Sequence, residues 1–168
     1  MRHAILLLCF ASVTGSALGG CSAGVVDVQQ ATWNRDCDLL MGQLGRKEPW
    51  IVEDAASGLG LAGCSQGAEP LMALLADGDR DERVRAAAAG SLARLGRLDA
   101  VPLLVGELSR ASHPETRYAL VTALGRLCTP ETAGALEGAA GDADIYVSRA
   151  ARKGLTRCAG TLSGGARP

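Results

Sequence analysis

The strongest constraint on this chain is a helical pattern that recurs every 31–33 residues. In Arg83–Gly96 (RVRAAAAGSLARLG) the apolar or small positions are Val84, Ala87, Ala88, Ser91, Leu92 and Leu95. Their spacing of i, i+3, i+4, i+7, i+8 and i+11 traces one face of an α-helix. Thr116, Ala119, Leu120, Ala123, Leu124 and Leu127 repeat it 32 residues on. Val147, Ala150, Ala151, Gly154, Leu155 and Cys158 repeat it after another 31. Backwards by 33 lie Ile51, Asp54, Ala55, Gly58, Leu59 and Ala62, where Asp54 interrupts the face. Terminal repeats are commonly degenerate in this way. Shorter apolar segments at 39–44, 70–75, 101–108 and 133–140 separate these helices, each followed by a polar turn. The unit therefore reads helix A, turn, helix B. Apolar residues make up 48% of the chain and aromatics only 3%, so the interior must be closely packed Leu, Ala and Val. Ala and Leu favour helix, whereas strands draw on β-branched and aromatic residues. The expectation is an all-α fold, a short α-solenoid of about four helical hairpins.

Capping signals agree with this division. Ser112-His113-Pro114-Glu115 has capping-box spacing with Pro in the first turn. Thr129-Pro130 predicts another helix start, and Asp99 is placed to cap the helix that contains Pro102. The Trp/Gly/Tyr/Phe set of tetratricopeptide repeats and the T-P-L-H of ankyrin repeats are both missing. What remains resembles HEAT repeats, in particular the short bacterial variety and the phycobilisome-lyase type. The resemblance is carried by Asp81-Glu82-Arg83-Val84-Arg85-Ala86 through Leu95-Gly96 and by Leu98-Asp99-Ala100-Val101-Pro102-Leu103-Leu104. His113-Pro114-Glu115-Thr116-Arg117 through Leu124-Gly125 repeats it, while Asp144-Ile145-Tyr146-Val147-Ser148 lacks the Arg. It covers residues 34–158, the expected repeat domain. In HEAT arrays this Arg often bridges to an acidic turn residue of a neighbouring repeat. For Arg85 and Arg117 that implies Asp79, Asp81 or Asp99 as partners, with a solvated helix face as the alternative.

The amino terminus carries a different message. Arg2 and His3 precede the apolar run Ala4–Thr14, which is too short to span a bilayer and fits a signal-peptide core. Leu18-Gly19-Gly20-Cys21 resembles a bacterial lipobox, which implies that residues 1–20 are removed and Cys21 is lipidated. The alternative is an ordinary signal cleaved near Gly19 or Gly20. Ser22 after the Cys resembles outer-membrane sorting in Gram-negative lipoproteins. The expected location is the periplasmic face of the outer membrane, with a secreted or periplasmic protein as the alternative. Residues 21–33 would form a tether and the start of the first helix, and residues 159–168 a flexible tail. Membrane contact is expected through the lipid anchor only.

Four cysteines remain after removal of the signal and the lipid site: Cys37, Cys64, Cys128 and Cys158. An even number in an oxidising compartment suggests disulfides. Cys37 and Cys64 fall at adjacent ends of the first antiparallel hairpin, and Cys128 and Cys158 at those of the last. The expected pairs are Cys37–Cys64 and Cys128–Cys158. The alternative is that they are buried small residues, since Cys158 occupies the slot of Leu95 and Leu127. No C-x-x-C exists and His113 is the one histidine after residue 20, so no metal site and no cofactor are expected. No Gly-x-Ser-x-Gly elbow or P-loop occurs, and Gly58-Leu59-Gly60-Leu61-Ala62-Gly63 lies on a helix with no strand before it. No catalytic residue is assigned. With 17 basic and 18 acidic residues, the balance argues against a nucleic-acid partner.

These readings lead to a non-catalytic adaptor or scaffold in the bacterial envelope that binds another envelope protein. Trp50, Arg85, Arg117, Tyr118 and Tyr146 are its candidate contacts, on a concave surface formed by the stacked B helices. Two alternatives stand beside it. One is a lyase-like or ligand-binding HEAT protein, and the other a purely structural envelope component whose aromatics only cover the core rim.

Overall fold

The computed structural model describes residues 27–163. The signal, Cys21 and most of the tether lie outside them, as do the last five residues of the tail. Among the described residues the chain forms helices α1 (Val28–Asn34), α2 (Cys37–Gln43), α3 (Pro49–Ala62), α4 (Ala68–Ala76) and α5 (Glu82–Arg94). Helices α6 (Val101–Arg110), α7 (Pro114–Leu127), α8 (Pro130–Ala139) and α9 (Ile145–Ser163) follow. Four antiparallel hairpins result: α2/α3, α4/α5, α6/α7 and α8/α9. Their second helices stack along most of their length in the order α3, α5, α7, α9. The first helices meet one another much more lightly. A row packed closely along one side and loosely along the other bends toward the close side. The array is an all-α solenoid with the B row inside the bend.

Small residues set the close spacing of the B row. A Cβ on Gly125 would lie 2.9 Å from the Gly154 Cα, so α7 and α9 cross backbone to backbone. A Cβ on Gly60 would lie 2.6 Å from the Ser91 Cα, and Ser91, fully buried, donates its hydroxyl to the Ala56 carbonyl at 2.7 Å across the α3/α5 crossing. The core between the two rows is Leu, Val and Ala, including Leu40, Leu59, Leu71, Leu92, Leu104, Leu120, Leu124 and Leu136. Asp54 is exposed. Its counterparts Ala87, Ala119 and Ala150 are half-buried along grooves between B helices, so this slot tolerates a charge.

Two boundaries differ from the sequence expectation. Residues 28–34 form a separate helix, α1, which packs on α3 as a further B-type helix. Asp27 caps it by accepting from Gln30 N at 3.0 Å, and a Cβ on Gly58 would meet Thr32 Oγ1 at 2.4 Å. A lone helix here covers the exposed flank of α3. At the other end α9 continues to Ser163, so residues 159–163 of the expected tail are helical.

The caps agree with the sequence pattern at one helix start and differ at two. Thr129 and Thr132 form a reciprocal capping box at the start of α8. Ser112 does not cap α7. Its backbone N and its Oγ donate instead to Glu82, at 3.0 and 3.3 Å, and His113 N donates to the same carboxylate at 3.3 Å. The first residue of α5 thus satisfies donors at the entrance to α7, where a carboxylate also opposes the positive end of the helix. Asp99 does not cap α6, because a 3-10 turn at Leu98–Ala100 intervenes and its carboxylate pairs with Arg97.

Candidate binding face

Because the B helices share one register, residues 33, 32 and 31 apart form rows across the solenoid. Trp50, Arg83, Glu115 and Tyr146 form the row nearest the helix N-termini. Glu53, Ala86, Tyr118 and Arg149 form the next, then Ser57, Gly90, Thr122 and Lys153. Leu61, Arg94, Arg126 and Arg157 complete the face near the C-terminal ends. A groove of about 400 Å³ runs over α3, α5 and α7, floored by Ala86, Ala87, Gly90 and Ala119. It meets a second groove of about 320 Å³ between α7 and α9, the two sharing Tyr118 and Thr122.

The candidate contacts divide on this frame. Tyr118 and Tyr146 come together beside Pro114, Glu115 and Asp144, 47% and 66% exposed. Trp50 is 57% exposed but lies on α3, two helices away from the tyrosine pair. Arg85 and Arg117 are not on this face, and this corrects the sequence reading. At about 100° per residue, Arg85 lies about 200° round the helix from Arg83, on the flank that meets the A row. Its Nε donates to Glu107 Oε1 at 2.7 Å, and its Nη1 donates to the carbonyls of Gly78 and Arg80. Arg110 Nη2 completes Glu107 at 3.0 Å, and the Glu107 side chain is only 2% exposed. Arg117 makes the matching bridge one repeat later. It donates through Nε and Nη2 to both oxygens of Asp142 at 2.8 and 3.0 Å, and through Nη1 to Ser112 O at 2.8 Å. The Arg117 hydrogen bonds hold the Asp142 carboxyl below the usual carboxylate range, helped by the Asp144 backbone N–H, and Asp142 raises Arg117 in return. The acidic partners are therefore Glu107 and Asp142 rather than Asp79, Asp81 or Asp99.

Sequence reasoning missed the cations of the open face. The side chains of Arg94, Arg126, Arg149 and Lys153 are exposed and make no hydrogen bond or ion pair among the described residues. Arg157, also exposed, has one bond, from Nη1 to Gly125 O at 3.1 Å. Extending the repeat alignment from apolar to exposed positions reveals Arg94, Arg126 and Arg157 as one row. Trp33, 87% exposed on α1, was also missed, because the segment containing it read as tether.

The disulfides brace the two ends of the array. Cys37 bonds Cys64 with Cα atoms 5.6 Å apart, tying α2 to the end of α3, and Cys128 bonds Cys158 at 4.9 Å, tying the exit of α7 to α9. Cys128 sits at φ 47°, in the left-handed cap that Gly63 and Gly96 fill in the preceding repeats. A side chain is strained there, and the disulfide fixes it in place. Among the described residues, no group of three or more His, Cys, Asp and Glu is placed to hold a metal ion. No described helix is long and apolar enough to cross a membrane.

These features define an α-solenoid of repeated hairpins with an open inner face. Residues 37–108 and 68–156 match the family model of HEAT repeats, and the chain belongs to that family. No curated protein matches it.

Proposed function

We propose that the protein is a non-catalytic adaptor of the bacterial envelope, anchored through a lipidated Cys21, that binds a protein partner on its B-helix face. The observation that carries this reading is the continuous grooved face over α3, α5, α7 and α9, with Tyr118 and Tyr146 exposed along it. Solenoids commonly bind partners on such concave surfaces, and exposed tyrosines supply contact area at low entropic cost. A purely structural component has no need of exposed tyrosines on an open groove. The lyase-like alternative rests on resemblance alone. The two disulfides favour an oxidising compartment, in keeping with export. More than one acyl chain is needed for stable anchoring, which a lipidated amino-terminal Cys would supply.

The test is crosslinking and pull-down from the envelope fraction of the native host, with the wild type and a Tyr118→Ala/Tyr146→Ala variant. A specific partner recovered with the wild type and lost with the variant supports the adaptor. No enriched partner removes that reading. In the same cells Cys21→Ala is expected to move the protein from the membrane to the soluble fraction; retention on the membrane contradicts the anchor.

A further inference from the structure

We infer that the inner face recognises an acidic, extended peptide segment that crosses the B helices and carries a carboxylate at every third residue. The inference rests on the adaptor reading and names the chemistry of the partner. Along the array, Arg80, Arg83, Arg85, Arg97, Arg110 and Arg117 are all paired with carboxylates of the chain itself. Arg94, Arg126, Arg149 and Lys153 are not, and all four line the two connected grooves. Beside them Arg94, Arg126 and Arg157 form a row with one cation on each of three successive helices. The carboxylates of this face, Glu53, Asp54, Glu115 and Asp144, stand toward the helix N-termini, away from that row. The C-terminal edge of the groove is thus cationic from α5 to α9, and its complement is an anionic strip.

Geometry sets the repeat of that strip. Packed helices lie about 8–10 Å apart, and close small-residue contacts mark the α3/α5 and α7/α9 crossings of the B row. A polyproline-II segment rises about 3.1 Å per residue with three residues per turn, so side chains three apart share a face about 9 Å from each other. A β-strand does not fit as well, because residues three apart point to opposite faces. Gly90, one turn from Arg94 on the groove floor, leaves room for a single extended backbone beside that row. A planar bilayer cannot follow a recessed groove, and Glu53 and Glu115 would oppose an anionic membrane. The peptide is therefore favoured over a lipid headgroup surface.

The experiment uses residues 21–168 with the disulfides formed. Fluorescence anisotropy is read with a labelled peptide of repeating Glu-Pro-Ala, its Gln-Pro-Ala counterpart, and a peptide of the same composition with all Glu clustered at one end. The Glu-Pro-Ala peptide is expected to bind, more weakly as salt rises from about 0.05 to about 0.5 M. Its affinity should fall roughly tenfold or more in Arg94→Gln/Arg126→Gln/Arg157→Gln. Circular dichroism confirms the fold of that variant, and Lys47→Gln, an exposed cation outside the grooves, should bind as the wild type does. No binding, or binding unchanged by the triple substitution, overturns the inference. Equal binding of the clustered peptide overturns the spacing. Flotation with vesicles of phosphatidylcholine and phosphatidylglycerol, lost in the triple variant while the peptide fails to bind, overturns it in favour of lipid headgroups. An envelope partner captured equally by wild type and triple variant leaves the adaptor standing and removes this surface chemistry. Failure to capture any partner removes the adaptor reading, whatever the peptide assay gives.

Discussion

The bridge between the second and third hairpins is the most sensitive point of the array. Glu107 is buried on α6, its carboxylate held by Arg85 from α5 at 2.7 Å and by Arg110 at 3.0 Å. Arg110 is 64% exposed, so it cannot replace the buried guanidinium if Arg85 is removed. Arg85→Ala leaves a desolvated carboxylate without its main partner and also frees the turn carbonyls of Gly78 and Arg80. Breaking a buried pair from one side costs about 3–5 kcal/mol, and the 13% exposure of Arg85 puts this case near the lower limit, about 3 kcal/mol. For a domain of this size that lowers Tm by roughly 10 °C. Replacing both partners with apolar residues of similar size, Arg85→Met with Glu107→Leu, removes the buried charge as well. The double variant should recover most of the loss. Thermal and urea melts followed by helical circular dichroism read all three proteins, and the double-mutant cycle gives the coupling. If Arg85→Ala melts within about 0.5 kcal/mol of wild type, the bridge is a solvated surface pair and the reasoning is wrong.

Four further outcomes are expected. Cys37–Cys64 and Cys128–Cys158 span 27 and 30 residues, so opening either should cost about 3–4 kcal/mol in the chain-entropy model; an unchanged melt after reduction contradicts this. Gly125→Ala forces α7 and α9 apart and should destabilise by about 1–3 kcal/mol. Gly134→Ala in α8 meets nothing within 4 Å and should stabilise by about 0.5–1 kcal/mol, a difference of sign that melts resolve directly. Asp142 has its folded pKa depressed, chiefly by Arg117, so the stability it contributes is complete above its unfolded pKa near 3.9 and is lost as pH falls through the lower folded value. Acid titration of the unfolding free energy should therefore show a shallower fall below about pH 4 in Asp142→Asn than in wild type.

The repeat was legible because burial enforces it. Val84, Leu92, Leu120 and Leu124 face a core that admits only apolar residues, so their spacing survives in the sequence. The hairpin division followed from the same constraint. Helix α1 was not legible, since seven residues carry too little periodicity to separate a helix from a tether. The ends of Arg85 and Arg117 were also hidden. Glu107 reads as one polar residue within an apolar A helix, and only packing brings it 22 positions back to Arg85. The candidate face was half legible. Aromatic residues mark themselves, and Tyr118 and Tyr146 do meet. Exposed arginines are common on any helix, and in the last turn they also suit the helix dipole. Arg94 and Arg126 acquire a second meaning only when the B helices are aligned and their lack of internal partners is visible.

An adaptor of this design must carry its partner on the inner face. A photocrosslinking amino acid at Thr122, exposed where the two grooves meet, reports that face; one at Glu137, exposed on α8 of the A row, reports a different surface. Irradiation of intact cells of the native host should give a discrete adduct from Thr122, competed by excess Glu-Pro-Ala peptide in isolated envelopes, and none from Glu137. An adduct from Glu137 alone, or none from either position, contradicts it.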